Sequence, residues 1–190
     1  MILTVEQGFE IELPTGWREL PPAHVLAVGS WIFEWVEELD VAPELKPGLI
    51  RSLGEAGDFV RANLNLNRSW VAVLDPSDSS RVRAVTSIVA MSADEASHID
   101  VAVLSAVVWH RNVSETTVAG HRAVVLHDLG VYTDTLGDPT LAERFVGTVY
   151  PAGSDSVVRL EILAEDTETF GDIVALGTRV LDGLAFVDEA

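Results

Sequence analysis

The chain contains no cysteine. Disulfides, thiolate nucleophiles and cysteine-ligated zinc are therefore excluded. Lysine is almost missing as well: Lys46 is the single one, against eleven arginines. No lysine is placed to serve a phosphate-cradling loop, and Gly130, Gly137 and Gly147 are too dispersed to build one. Basic residues as a group are scarce, twelve against thirty acids, for a net charge of -18. A field of that sign repels phosphate backbones and anionic headgroups, which excludes nucleic acid and the membrane surface as partners. A basic protein, a cationic peptide or a metal ion stays compatible with it, and solubility alone is the plainest explanation.

Long hydrophobic runs are also missing. The longest, Val101 to Trp109, is interrupted by Ser105 and falls well short of the ~20 residues of a membrane span. The N-terminal segment has no basic region and meets Glu6 before any useful apolar run, so no signal peptide is expected. These two absences predict a cytoplasmic protein. Asn112-Val113-Ser114 matches a glycosylation sequon, which has no meaning without a secretory route. The preference for arginine over lysine points to a GC-rich bacterial coding sequence. Salt adaptation, the other source of an acidic, lysine-poor chain, fits poorly with a mean hydropathy of +0.26.

What is present is a globular composition: 190 residues, 48% of them hydrophobic. A chain of this length buries about 70% of its unfolded surface, and one domain spanning 1–190 is expected. Phe9, Ile11 and Leu13 alternate with Glu10 and Glu12, the period of a strand with one buried face. Pro14-Thr15-Gly16 ends that strand and Trp17 follows, which resembles an opening hairpin with Trp17 in the core. A helical section at about 22–64 comes next. Val25, Val28, Ile32, Trp35, Val36 and Leu39 recur at helical spacing, with Glu34, Glu37 and Glu38 on the other side. Pro43 and Pro47-Gly48 break the pattern, and a second helix carries Leu49, Leu53, Ala56, Val60 and Leu64.

Strands are predicted over Trp70–Leu74 and Arg83–Met91. Ser92-Ala93-Asp94-Glu95 has capping-box spacing and predicts a helix to about His110, with Trp109 in the core; a strand over Val101–Trp109 is the alternative. Val113–Val118 and Arg122–His127 flank the hairpin pair Ala119-Gly120. Ala142–Tyr150 and Val157–Ala164 form a second pair, with Arg159 and Glu161 expected to point outward. Thr167 is placed to cap a last helix striped by Phe170, Ile173, Val174, Val180, Leu181 and Leu184. The segment Leu184–Val187 closes the chain in extended form.

Three stretches together resemble the superfamily of the photosystem II protein PsbP and the Ran-binding Mog proteins. They are Phe9–Trp17, Val113–Val125 with its core Val118-Ala119-Gly120-His121-Arg122-Ala123, and Phe170–Val187. The resemblance implies an α+β fold, an α/β/α sandwich on a mostly antiparallel sheet. It also implies a protein-binding or accessory role, in secretion or assembly for some members, and it supplies no catalytic residues.

The residues themselves offer no catalytic constellation. His121 and His127 share a strand face, with Asp128 next, but stand about 20 Å apart along the strand and cannot hold one ion together. His98 and His110 lie about 18 Å apart on the expected helix, with the same objection. His24 has no partner motif. No Gly-x-Ser-x-Gly elbow exists, and Gly153-Ser154-Asp155-Ser156 reads as a turn. Asp134, Asp138 and Glu143 fall in a presumed loop but lack calcium-binding spacing. No metal, cofactor or catalytic residue is expected.

The remaining candidates are Trp31 and Trp35, one helical turn apart and so on the same side of their helix. Exposed, they would anchor a partner protein; buried, they would cover the sheet. The expected function is a non-catalytic, protein-binding or accessory domain that recognises a partner with a basic surface, through a sheet edge or through Trp31 and Trp35. A carrier of a small apolar molecule held between sheet and helices is the alternative, and an enzyme comes third. Partner identity and oligomeric state are not readable from the sequence.

Overall fold

The computed structural model describes residues 2–5, 9–13, 16–21, 28–62, 69–73, 82–92, 94, 107–133, 139–154, 156–164 and 172–186. The fold is α+β with antiparallel strand pairing throughout the described registers. Backbone packing divides the chain into two compact units, Gly16–Ser87 and a unit formed by Met1–Thr15 with Ile88–Ala190.

In the Gly16–Ser87 unit, β3 (Trp17–Glu19) pairs with β4 (Ser69–Val73), which pairs in turn with the start of β5 (Val82–Ser92). Helices α1 (Val28–Glu38) and α2 (Lys46–Ala62) supply the apolar cover. Of the predicted stripes, Ile32, Trp35, Val36, Leu49 and Leu53 are buried together with Leu20, Val71 and Val73, and Leu39 packs partly buried against them. Glu34, Glu37 and Glu38 are exposed. Pro47-Gly48 does not separate the helices as a breaker. It lies in the first turn of α2, where a proline costs no hydrogen bond because that N–H has no helical acceptor. The expected positions Val25 and Leu64 lie outside the described residues.

In the second unit, β1 (Ile2–Val5), β2 (Phe9–Glu12) and β10 (Leu184–Phe186) form a three-stranded sheet in the order β1-β2-β10. The strand-turn-tryptophan segment is therefore not a hairpin. β2 and β3 pair with different strands, and Gly16, at φ 94°, supplies the left-handed turn between them. Trp17 itself is buried, as expected.

The same unit holds the long strands β6 (Val107–Val118), β7 (His121–Thr133), β8 (Pro139–Tyr150) and β9 (Ser156–Ala164), adjacent in the order β9-β8-β7-β6. Ala119 (φ 48°) and Gly120 (φ 84°) form the two-residue β6–β7 turn with both residues left-handed, matching the twist of the strands. Two expectations fail here. The predicted helix from Ser92 to about His110 does not hold over its full span: Asp94 is helical, but Ser92 closes β5 and residues 107–110 belong to β6, where the strand alternative holds at 107–109. The β-branched run Val107-Val108 joins the ladder instead of a helix, and residues 95–106, with His98, lie outside the described residues. Glu143, expected in a loop, stands inside β8; Asp134 and Asp138 are not among the described residues.

Helix α3 (Asp172–Asp182) packs on one face of β8 through two reciprocal fits. A Cβ on Gly177 would enter the Phe145 ring, and one on Gly147 would come within 2.5 Å of Leu181 Cδ1. The helical step from Gly177 to Leu181 spans about 6 Å and the strand step from Phe145 to Gly147 about 6.6 Å, so the two knobs and two holes coincide. After α3, Gly183 approaches the backbone of Glu12, whose N–H donates to the Gly183 carbonyl at 2.8 Å.

Candidate functional site

Strand β6 is the end strand of its sheet: among the described residues it pairs with β7 alone. Its register with β7 shifts between Val108 and His110, leaving Trp109 as a bulged residue. Trp109 is 64% exposed, and Val113, four positions on, is 55% exposed. Every residue from Asn112 to Thr117 is exposed too. The expectation that Trp109 is core fails. Residues 107–110 belong to a strand, and at its bulge Trp109 stands exposed.

The sheet beside this edge carries charge on both faces. On the face away from α3, Arg111, Asp128 and Arg144 stand in one cross-strand row. Asp128 is fully buried and accepts from Arg144 Nη2 at 2.9 Å, from Arg144 Nε at 3.3 Å and from Arg111 Nη2 at 3.1 Å. The fork of Arg144 meets both carboxylate oxygens, the strongest form of this contact. Glu161 of β9, opposite Val146 on the same face, lies 3.8 Å from Arg144 Nη1 and 3.5 Å from Arg159 Nη2. Arg159, expected to point to solvent, is buried at 4% exposure. On the α3 face, His127 Nε2 lies 2.6 Å from Glu143 Oε1, both buried, and the exposed His110 packs edge-on against His127 at 5.7 Å.

Chemically, this arrangement is a set of mutually engaged ions. Each buried charge faces an opposite charge or a histidine, as its removal from water requires. Among the described residues no three metal-binding side chains converge. Nearer the β6–β7 turn, exposed Arg122 donates to Glu115 at 2.7 Å. That hydrogen bond, with the attraction of the guanidinium, holds the Glu115 carboxyl below the ordinary range and raises the Arg122 pKa. His121 Nδ1 accepts from the Ala152 N–H at 3.1 Å and its ring meets Phe186 edge-on at 4.6 Å, so it is a structural histidine.

Trp31 and Trp35 do meet, with ring centroids 5.2 Å apart. Trp35 is only 2% exposed and belongs to the core of its unit, under the Arg18 guanidinium at 5.1 Å. Trp31 is half-buried at the margin of that core. Sequence reasoning overlooked Trp109 and Val113. The usable signal was Asn112 through Thr117, which mixes polar residues onto both strand faces and so marks a strand with neither side buried.

No family model matches the chain, and no curated protein matches it. Among solved structures, it is similar to LpqN of Mycobacterium tuberculosis, a protein involved in cell envelope biogenesis, at 16% identity and a TM-score of 0.48. That match covers 94% of this chain and 83% of LpqN. It is also similar to the cyanobacterial PsbP of Synechocystis sp. PCC 6803, at 9% identity and a TM-score of 0.47, over 98% of this chain and 91% of that one. The second is a member of the superfamily that the three sequence stretches resemble. Among the described residues, no helix is long and apolar enough to cross a membrane.

Proposed function

We propose that the chain is a non-catalytic protein-binding or accessory domain that docks a partner protein along the outer edge of β6. The observation that carries this reading is the exposure of Trp109 and Val113, at 64% and 55%, on a strand whose outer edge has no described neighbour. An end strand offers a row of backbone donors and acceptors, and a tryptophan beside it is the side chain most enriched among interface anchors. The engagement of His127 with Glu143 and of Asp128 with Arg144 supports a role other than catalysis. Trp31 is a secondary anchor at most, because it is partly buried against the core. At long range the charge of -18 favours a partner with a basic surface.

The test is affinity capture from the native cell with wild-type, Trp31→Ala and Val113→Lys baits, read by mass spectrometry. A protein retained by the wild type and by Trp31→Ala, but lost with Val113→Lys, is the expected outcome. Equal retention by all three baits rules out the β6 edge.

A further inference from the structure

We infer that the partner seated on β6 is a second copy of the same chain, paired antiparallel about a two-fold axis at Val113. The inference rests on the docking reading above and names its occupant. Between the Trp109 bulge and the β6–β7 turn, the strand is regular and exposed, and its sequence is complementary to its own reverse. Centred on Val113, an antiparallel pair sets Val113 against the partner's Val113, Asn112 against the partner's Ser114, and Arg111 against the partner's Glu115. His110 then faces the partner's Thr116. Directly opposed residues share a sheet face, so the two exposed valines meet and are flanked on both sides by an Arg–Glu pair.

The register is selective. Centring on Arg111 or Glu115 sets like charges against each other; centring on Asn112 sets Arg111 against Val113 and Glu115 against Trp109, and centring on Ser114 sets Glu115 against Val113 and Arg111 against Thr117. Only the Val113 centre matches both charge and apolar surface. On one copy Glu115 is paired with Arg122 and Arg111 with Asp128, both on β7, so each Arg–Glu contact across the two-fold is made by groups already held on the sheet surface. The pairing would join the β9-β8-β7-β6 runs of two copies into one sheet by an isologous contact, the commonest symmetry of soluble oligomers.

The net charge of -18 on each copy opposes approach, and this repulsion is screened beyond about 8 Å at physiological ionic strength. One strand on each side is a small interface, below about 1,200 Å² in total, so the dimer belongs to the weak, concentration-dependent class. Trp109, at the bulge, lies just outside the paired stretch and covers its end.

Sedimentation equilibrium of the full chain at physiological salt tests the dimer, and the absence of native cysteine allows a direct test of register. A reversible monomer–dimer equilibrium is expected. Glu115→Arg, which turns both Arg–Glu pairs into Arg–Arg pairs, should weaken it about tenfold. Val113→Cys should form an interchain disulfide under mild oxidation, because directly opposed strand residues lie within the 4.4–6.8 Å Cα separation that the bond needs. Ser114→Cys alone should cross-link far more slowly, and a mixture of Asn112→Cys and Ser114→Cys chains should cross-link well. A monomer at all accessible concentrations, a dimer indifferent to Glu115→Arg, or equal cross-linking of Val113→Cys and Ser114→Cys overturns the inference. A monomer whose Val113→Lys variant still loses a captured protein overturns it too, while leaving the docking reading intact. Near-ultraviolet circular dichroism of each variant confirms that the fold is kept.

Discussion

Strands β6 and β8 lie on either side of β7, both contain an Arg and a Glu among apolar residues, and their environments are opposite. Every residue from Ala142 to Val149 of β8 is buried, including Glu143 and Arg144, whereas every residue from Asn112 to Thr117 of β6 is exposed. The difference is set by neighbours. β8 has a strand on each edge and α3 over the face that carries Phe145 and Gly147. β6 has β7 on one edge only, among the described residues. The same residue types therefore act differently. In β8 an arginine must be matched by a carboxylate to be tolerated at all, whereas along the exposed stretch of β6 the Glu115–Arg122 pair stands in water and adds little to stability.

The sharpest way to break this contrast is Asp128→Ala. It leaves Arg144, 2% exposed, without the carboxylate that accepts two of its hydrogen bonds. A loss of about 3–5 kcal/mol is expected in urea unfolding, the cost of an uncompensated buried charge. A loss under about 1 kcal/mol would show that water reaches the row and that β8 is less enclosed than its burial indicates. Gly177→Ala comes next. Its Cβ would fall in the Phe145 ring, which is fully buried and has nowhere to swing, so α3 must lift off β8. Overpacking of this kind costs about 1–3 kcal/mol. The double variant Gly177→Ala/Phe145→Leu should recover part of that loss if the fit is the cause.

The smallest effect lies on β6. Glu115 is held below its ordinary pKa by the hydrogen bond from Arg122. A carboxyl with a lowered folded pKa adds stability that is present above its unfolded pKa and is lost as pH falls through the lowered folded value. Because the pair is exposed, acidification should register in an NMR titration of the Glu115 carboxyl, which Arg122→Gln returns to the ordinary range, with little change in the unfolding midpoint. A midpoint that follows this titration would place Glu115 on the buried side of the comparison.

Much of the fold was legible because local chemistry decides it. The buried positions of α1 and α2, the left-handed pair Ala119-Gly120 and the C-terminal ends of β8 and β9 follow from periodicity and turn residues. Parts of the three stretches singled out as landmarks meet. Leu184 pairs with Ile11, and Phe186 pairs with Phe9 and packs against His121 beside the β6–β7 turn. Less of the candidate site was legible. Trp31 and Trp35 were chosen by helical spacing, which brings them together without saying which side the core takes. Trp109 was assigned to a helix because Ser92 and Glu95 have capping spacing, and the β-branched run that followed was the stronger signal. Arg159 was expected outside because charge in a strand usually faces water, and what buries the face it shares with Glu161 is not recorded along that strand.

The sequence by itself determined where the chain turns, which faces of the helices are apolar, and which chemistries its composition cannot support. These depend on backbone sterics, side-chain periodicity and residue types, all local quantities. The tertiary structure alone decided which charges are buried, that Gly147 and Gly177 serve as sockets for Leu181 and Phe145, and that Trp109 and Val113 face outward. Burial depends on what another segment, distant in the chain, lays over a residue. That neighbour is chosen by strand pairing and helix docking, for which a single stretch of sequence carries no record.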